Sequence, residues 1–322
     1  MNFKKLLIAA SAFAFCVPAG LLAEQVVVIG DTFKCFFQDE GENGFNTLAG
    51  GSVATWTQTQ IDAVVRSLTT WDNLILNTPG RTLTVGVFWE SGSGALAYAG
   101  SPMSYRLEAG FQQVSTLAEK IWRDGVSNTG SETGSYDVQI FCNYDYVDKF
   151  YYGVTPFSGW SELYDFQSVL THELGHGIGF SSNLQSDCTF MADGETVLYT
   201  AFDSLLRKEG DAQTLVEKAE ASDNAPVVAL GEKILLDGTD LWVYNPASYI
   251  EGSSFSHIDA ESDPDALMQY ALVNGVSHRS PTEAEIGLMS LMGWSMIPEP
   301  SLFGLWAGTL ALALAGTRRR RR

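Results

Sequence analysis

The sequence predicts an α+β fold: a mixed, twisted sheet with helices packed on it, walling one side of a cleft, and a mostly helical C-terminal lobe. Three observations carry this expectation. Apolar residues recur with helical spacing in some segments and with strand spacing in others. These segments follow one another as helix, strand, strand, helix, strand, helix, an order that suits a mixed sheet packed on helices. No internal repeat and no low-complexity linker divides the middle of the chain.

Taken in order, Thr57-x-x-Gln60 has the form of a capping box. Ile61, Val64, Val65, Leu68, Trp71 and Leu74 follow at helical spacing, which predicts a helix over 58–76. Pro79-Gly80 breaks the chain. Leu83, Val85 and Val87 then alternate within RTLTVGVFWE, which reads as a strand, and LAYAG at 96–100 reads as its neighbour. Phe111, Val114, Leu117, Ala118 and Ile121 mark a second helix ending near Gly125, and YDVQIFC at 136–142 marks a further strand. A third helix starts at about Ser161 and is stopped by Gly177 and Gly179; it belongs on the cleft floor. A long segment, about 183–250, carries helical signals at FDSLLRK (202–208) and TLVEKAE (214–220). The last helix has Ser280 as cap, Pro281 at the first position, Glu283 completing a box and Gly293 as stop.

The two ends read as addresses. Lys4 and Lys5 precede a short apolar run, Leu6 to Val17, which predicts an export signal over 1–23 with cleavage after Ala23, or after Ala19. At the other end Pro298-Glu299-Pro300 precedes an apolar run, Leu302 to Gly316, and five arginines, Arg318 to Arg322. The run is short for a span of about 20 residues, and the arginines would hold the terminus on the cytoplasmic side. A simple tail anchor is one reading. The tripartite order resembles the PEP-CTERM sorting signal of Gram-negative bacteria. That resemblance implies recognition by an exosortase after signal peptidase has acted, transient membrane anchoring, cleavage near the PEP, and release to or display at the cell surface.

The span between the addresses, 24–297, is long enough for one large domain or two lobes around a cleft. The whole chain has a formal net charge of −19, and removing both addresses makes it about −25. Such a charge argues against nucleic acid and anionic membrane as partners, and suits cationic substrates or bound calcium. No EF-hand or repeat calcium loop is present. Cys35, Cys142 and Cys188 survive processing, so one disulfide is expected in an oxidising compartment. Spacing alone leaves three pairings open; Cys142–Cys188, which flank the third helix, is the favoured one. Cys35 in Phe33-Lys34-Cys35-Phe36-Phe37 is a buried or spare thiol.

The stretch THELGHGIGFSS, 171–182, holds His172, Glu173 and His176 as H-E-x-x-H in a chain with only four histidines. On a helix, residues four apart share a face, so both histidines reach one metal ion, with Glu173 beside them to take a proton from water. A catalytic zinc needs a third protein ligand. The short motif that would place it three residues after Gly179 finds Ser182 there. His257 and His278 remain, and Glu195 is the carboxylate alternative. His278 sits before a capped helix, where an exposed role suffices. His257 lies a short distance before Met268.

HELGHGIGF, FDSLL, VYNPASYIEGSSFSHID, ALM and EIGLMSLMGW together resemble a family of exported bacterial metzincin-type metallopeptidases, similar to leishmanolysin in delaying the third histidine with an insertion. The resemblance covers about 160–295; 24–150 follows it only in the order of elements. It implies a metzincin-like fold and zinc held by His172, His176 and His257. It further implies Glu173 as general base and Met268 in a methionine turn beneath the metal. Met268-Gln269-Tyr270 resembles the turn of astacins and serralysins, which implies a catalytic role for Tyr270; plain packing is the alternative.

The expected function is therefore an exported, zinc-dependent endopeptidase acting on protein or peptide. The alternatives are a non-catalytic cell-surface or matrix protein with a structural zinc, and a zinc hydrolase acting on another amide. Glu173 is not a ligand, and a structural site has no need of a base at that position.

Overall fold

A computed structural model describes residues 25–37, 54–76, 81–104, 108–124, 136–157 and 160–297. The two terminal addresses, 1–23 and 298–322, lie outside the described residues, as do Pro79-Gly80 and Gly125. Among the described residues no helix is long and apolar enough to cross a membrane.

In chain order the first half comprises β1 (Gln25–Ile29), β2 (Phe33–Phe37), α1 (Gln58–Asp72), β3 (Leu83–Glu90), β4 (Ala97–Gly100), β5 (Met103–Ser104), β6 (Gly110–Gln113), β7 (Ser115–Thr116), α2 (Leu117–Asp124) and β8 (Val138–Asn143). The second half comprises β9 (Phe150–Tyr151), β10 (Tyr164–Asp165), α3 (Phe166–Gly177), β11 (Ala192–Asp193), β12 (Thr196–Tyr199), β13 (Leu206–Lys208), α4 (Leu215–Ala221), β14 (Ile234–Leu236), β15 (Trp242–Val243) and α5 (Glu283–Leu291).

The fold is α+β. Its main sheet has the order β1-β2-β3-β8-β4. The three inner strands run parallel, and the two edge strands run antiparallel to their neighbours. A parallel strand covered on both faces has no exposed side to keep polar, so β3 reads as the nearly continuous apolar run LTVGVFWE and is buried through Trp89. One face carries α1 and α3, joined by hydrogen bonds from Trp71 Nε1 to the Thr171 carbonyl (2.8 Å) and from Ser67 Oγ to the Gln167 carbonyl (3.0 Å). Trp89 stacks against Trp56 and Phe166 in that layer, with ring centroids at 4.6 and 5.7 Å. The alternate residues of the same strands, Phe36 and Phe88, form a smaller cluster with Tyr136.

Several expectations are corrected. The hairpin of β1 and β2 adds two strands that the sequence did not announce. The second helix starts at Leu117, and the residues from Gly110 are strand, pairing in parallel with β12. The reason is local: Thr116 Oγ accepts from Glu119 N at 3.1 Å and Glu119 Oε2 accepts from Thr116 N at 2.6 Å, a capping box that fixes the start there. The third helix starts at Phe166, capped by Asp165, five residues after the expected Ser161. The last helix is boxed by Thr282 and Glu285, two residues beyond Ser280 and Glu283. The C-terminal lobe is not mostly helical: among the described residues past α3 only α4 and α5 are α-helices, and short strands and turns fill the rest. FDSLLRK is a short 3-10 turn running into β13, whereas TLVEKAE does supply α4 with Thr214 as cap. The expected Cys142–Cys188 disulfide is absent; all three described cysteines are free and buried. Cys142 is enclosed in β8, while Cys188 closes its own turn to Gln185 and accepts from Val227 N. Burial raises both thiols above their ordinary range.

Candidate metal centre

The helix that carries the motif is held at its N-terminus. Asp165, fully buried, caps it by accepting from Ser168 N at 3.1 Å, and Arg279 grips the same carboxylate through Nε (2.9 Å) and Nη2 (2.8 Å). Arg279 Nη2 also donates to the Gly153 carbonyl at 3.0 Å. Along α3, His172 and His176 fall one turn apart on the cleft side, and Glu173 is buried beside them.

His257 joins them from a turn that follows β15. The three Nε2 atoms lie 3.0 Å (His172–His176), 3.1 Å (His176–His257) and 3.2 Å (His172–His257) apart. Each Nδ1 meets a backbone carbonyl: His172 that of Leu267 at 2.8 Å, His176 that of Phe180 at 2.6 Å, His257 that of Ser253 at 2.8 Å. A carbonyl can only accept, so each Nδ1 carries the proton and each Nε2 turns its lone pair inward. Burial, followed by the neighbouring histidine, pulls all three rings down to about 3, so they are neutral at pH 7, the form that binds metal. These three side chains can hold one metal ion. His278 instead reaches the Asp265 carbonyl at 3.1 Å, and Glu195 is exposed in the turn between β11 and β12.

The supports of the trio are backbone segments clamped by buried carboxylates. Glu285, besides boxing α5, accepts from Leu267 N (3.0 Å) and Met268 N (2.7 Å), fixing the carbonyl that orients His172. Met268 is fully buried beneath α3. A Cβ on Gly175 would come within 2.5 Å of its sulfur, so glycine at 175 is what admits it. Asp203 accepts from Ser182 Oγ (2.5 Å), Asn183 N (3.0 Å) and Thr200 N (2.7 Å), pinning the chain just past the carbonyl that orients His176. Ser182 N donates in turn to Ser256 Oγ at 3.0 Å, tying the end of the motif to the residue before His257. Phe255 adopts φ 68°, a left-handed conformation costly for a bulky residue; its burial and its bond to the Tyr244 carbonyl hold it there.

The trio opens on a cleft of about 1000 Å³ whose lining includes the three histidines, Glu173, edge strand β4 and Tyr270. Burial, with no ion pair to offset it, raises Glu173 to about 8; a cation at the histidines acts in the opposite direction. Tyr270 is half exposed, and its ring stacks on Tyr244 at 3.8 Å and 4°. The sequence singled out His172, Glu173, His176, His257, Met268 and Tyr270; the fold brings five of them to one cleft and buries Met268 behind it, against Gly175. It missed Asp203, Glu285 and Asp165 as supports; only Thr282-x-x-Glu285 carried a readable signal, that of a capping box. The sequence matches no protein-family model and no curated protein.

Proposed function

We propose that the chain is a metzincin-type zinc endopeptidase. The observation that carries this reading is the tautomer lock: three neutral imidazoles, each oriented by its own carbonyl, aim three lone pairs at one point beside a carboxylate that is not part of the trio. Zinc fits this donor set. Zn–N bonds of about 2.0–2.1 Å bridge nitrogens spaced as these are, and three protein ligands leave a position open. Bound zinc supplies Lewis-acid polarisation of a carbonyl and lowers the pKa of water.

The chain's own residues account for the remaining chemistry. Glu173 takes a proton from the attacking water as the C–O bond forms, and returns it to the amine nitrogen as the C–N bond breaks. β4 lies at the sheet edge along the cleft, so an extended peptide can hydrogen-bond to it as a further strand. Met268 lies buried beneath α3 as apolar support, and Tyr270, which lines the cleft stacked on Tyr244, would donate its hydroxyl to oxyanion charge once its ring leaves Tyr244. The two terminal addresses support export by a Gram-negative cell, with signal peptidase and an exosortase as processing partners and the cell surface or medium as destination.

The test is cleavage of casein by the zinc-loaded protein beside its Glu173→Gln variant, with metal content measured for both. The expected result is one zinc per chain in each, and activity about a hundred- to ten-thousand-fold lower in the variant. Zinc in both, with no cleavage of casein or of any peptide in a broad library by the native protein, overturns the proposal.

A further inference from the structure

We infer that the cleft selects peptides bearing a basic side chain next to the scissile bond, with Glu251 as the residue that determines this. The inference deepens the peptidase reading and rests on it. The first observation is the charge of the lining: among the described residues it contains two carboxylates, Glu173 and Glu251, and neither lysine nor arginine. Glu173 is committed to proton transfer, so Glu251 is the charge left for a substrate. Arg279 is locked on Asp165, and Lys149 lies over the ring of Tyr146, itself a lining residue, at 4.8 Å.

The second observation is that Glu251 stands on a fixed platform. Ser253 N and Ser254 N both donate to the Ile250 carbonyl, at 3.1 and 2.9 Å, and Ser254 Oγ accepts from Ile250 N at 2.9 Å. The same turn offers the Ser253 carbonyl to His257 Nδ1, so Glu251 is held in register with the metal trio. The exposed carboxylate therefore projects from a backbone that is ordered before substrate arrives.

The third observation concerns the remaining walls. Four tyrosines, Tyr98, Tyr146, Tyr164 and Tyr270, line the cleft; Tyr146 already holds the Lys149 ammonium over its ring, and Tyr164 lies beside it with ring centroids at 6.1 Å, so this wall accepts a cation. An acidic side chain meets the opposite conditions: like charge at Glu251, no lysine or arginine among the described lining residues, and a strongly negative chain around it.

The experiment uses quenched-fluorescent peptides identical except for lysine, norleucine or glutamate on either side of the scissile bond. They are cut by the zinc-loaded protein and by Glu251→Gln and Glu251→Lys; Glu251 is exposed, so both variants fold, and zinc content verifies this. The expected wild-type preference for lysine over glutamate is about tenfold in kcat/KM, residing in KM and shrinking at high salt. It falls to about twofold in Glu251→Gln and reverses in Glu251→Lys. Cleavage without a lysine preference, or a preference unchanged in Glu251→Lys, overturns the inference and leaves the peptidase reading standing. The same peptides are titrated onto the Glu173→Gln variant by fluorescence anisotropy. Lysine-selective binding that Glu251→Lys abolishes, in a protein that cuts nothing, upholds the subsite and sinks the peptidase.

Discussion

Asp203 shows what a buried charge does when no cation accompanies it. Its carboxylate is fully enclosed and held by three donors near Ser182, yet burial outweighs them and raises it from 3.8 to about 6. Because the folded value lies above the unfolded one, the native state holds this proton more tightly. The stability it contributes is complete below about pH 4 and is lost as pH rises through about 6. At 1.36 kcal/mol per unit the loss is about 3 kcal/mol. Urea melts across pH 4–7 are expected to show this downward component in the native protein and not in Asp203→Asn; parallel pH profiles would refute it. Residues of this kind are hard to read from a sequence. His172, Glu173 and His176 announced themselves because their partners lie within one helical turn. Glu285 acts on Leu267 and Met268, 18 and 17 residues away, and nothing about a glutamate in a capping box reports that second duty.

Helix starts were legible unevenly: the Thr116–Glu119 box that starts α2 went unread, while the box of α1 was plain. Thr57 and Gln60 cap α1 as their spacing announces. At α5 two boxes competed, and the later one won because its glutamate also satisfies two amides of the methionine turn. Strand spacing located β3, β4 and β8, while the β1–β2 hairpin and the short strands of the insertion were missed. β1 pairs with the adjacent β2 through runs without strand alternation to mark them, and β12 takes its register from β6, far back along the chain. The packing of α3 on the sheet gives a prediction that runs against helix propensity. Alanine favours a helix over glycine by about 1 kcal/mol. A Cβ at Gly177, however, would lie 2.3 Å from Val138 Cγ1 in β8. Gly177→Ala is therefore expected to destabilise by about 1–3 kcal/mol in chemical denaturation, and a stabilised variant would show that helix and strand can part.

For the whole molecule, the metal trio is a clip between distant parts of one chain. His176 and His257 are 81 residues apart, and the Met268 turn and α5, which brace them, come later still. Anything that binds the native trio and not the unfolded chain stabilises by mass action, about 4 kcal/mol at a thousandfold excess over Kd. Calorimetry with zinc and with a chelator is expected to show a higher melting temperature with the ion, and His257→Ala is expected to lose that difference. Equal melting temperatures in the native protein would mean that the three imidazoles hold no ion. The insertion also sets an order of events in time. A chain that emerges N-terminus first presents His172, Glu173 and His176 early, but it lacks the third imidazole until His257 emerges, and the clamp on the methionine turn until Glu285 follows. The chemistry is thus the last part of the molecule to exist. On the peptidase reading proposed above, the chain is harmless to its own maker for most of its synthesis, because the site is completed late.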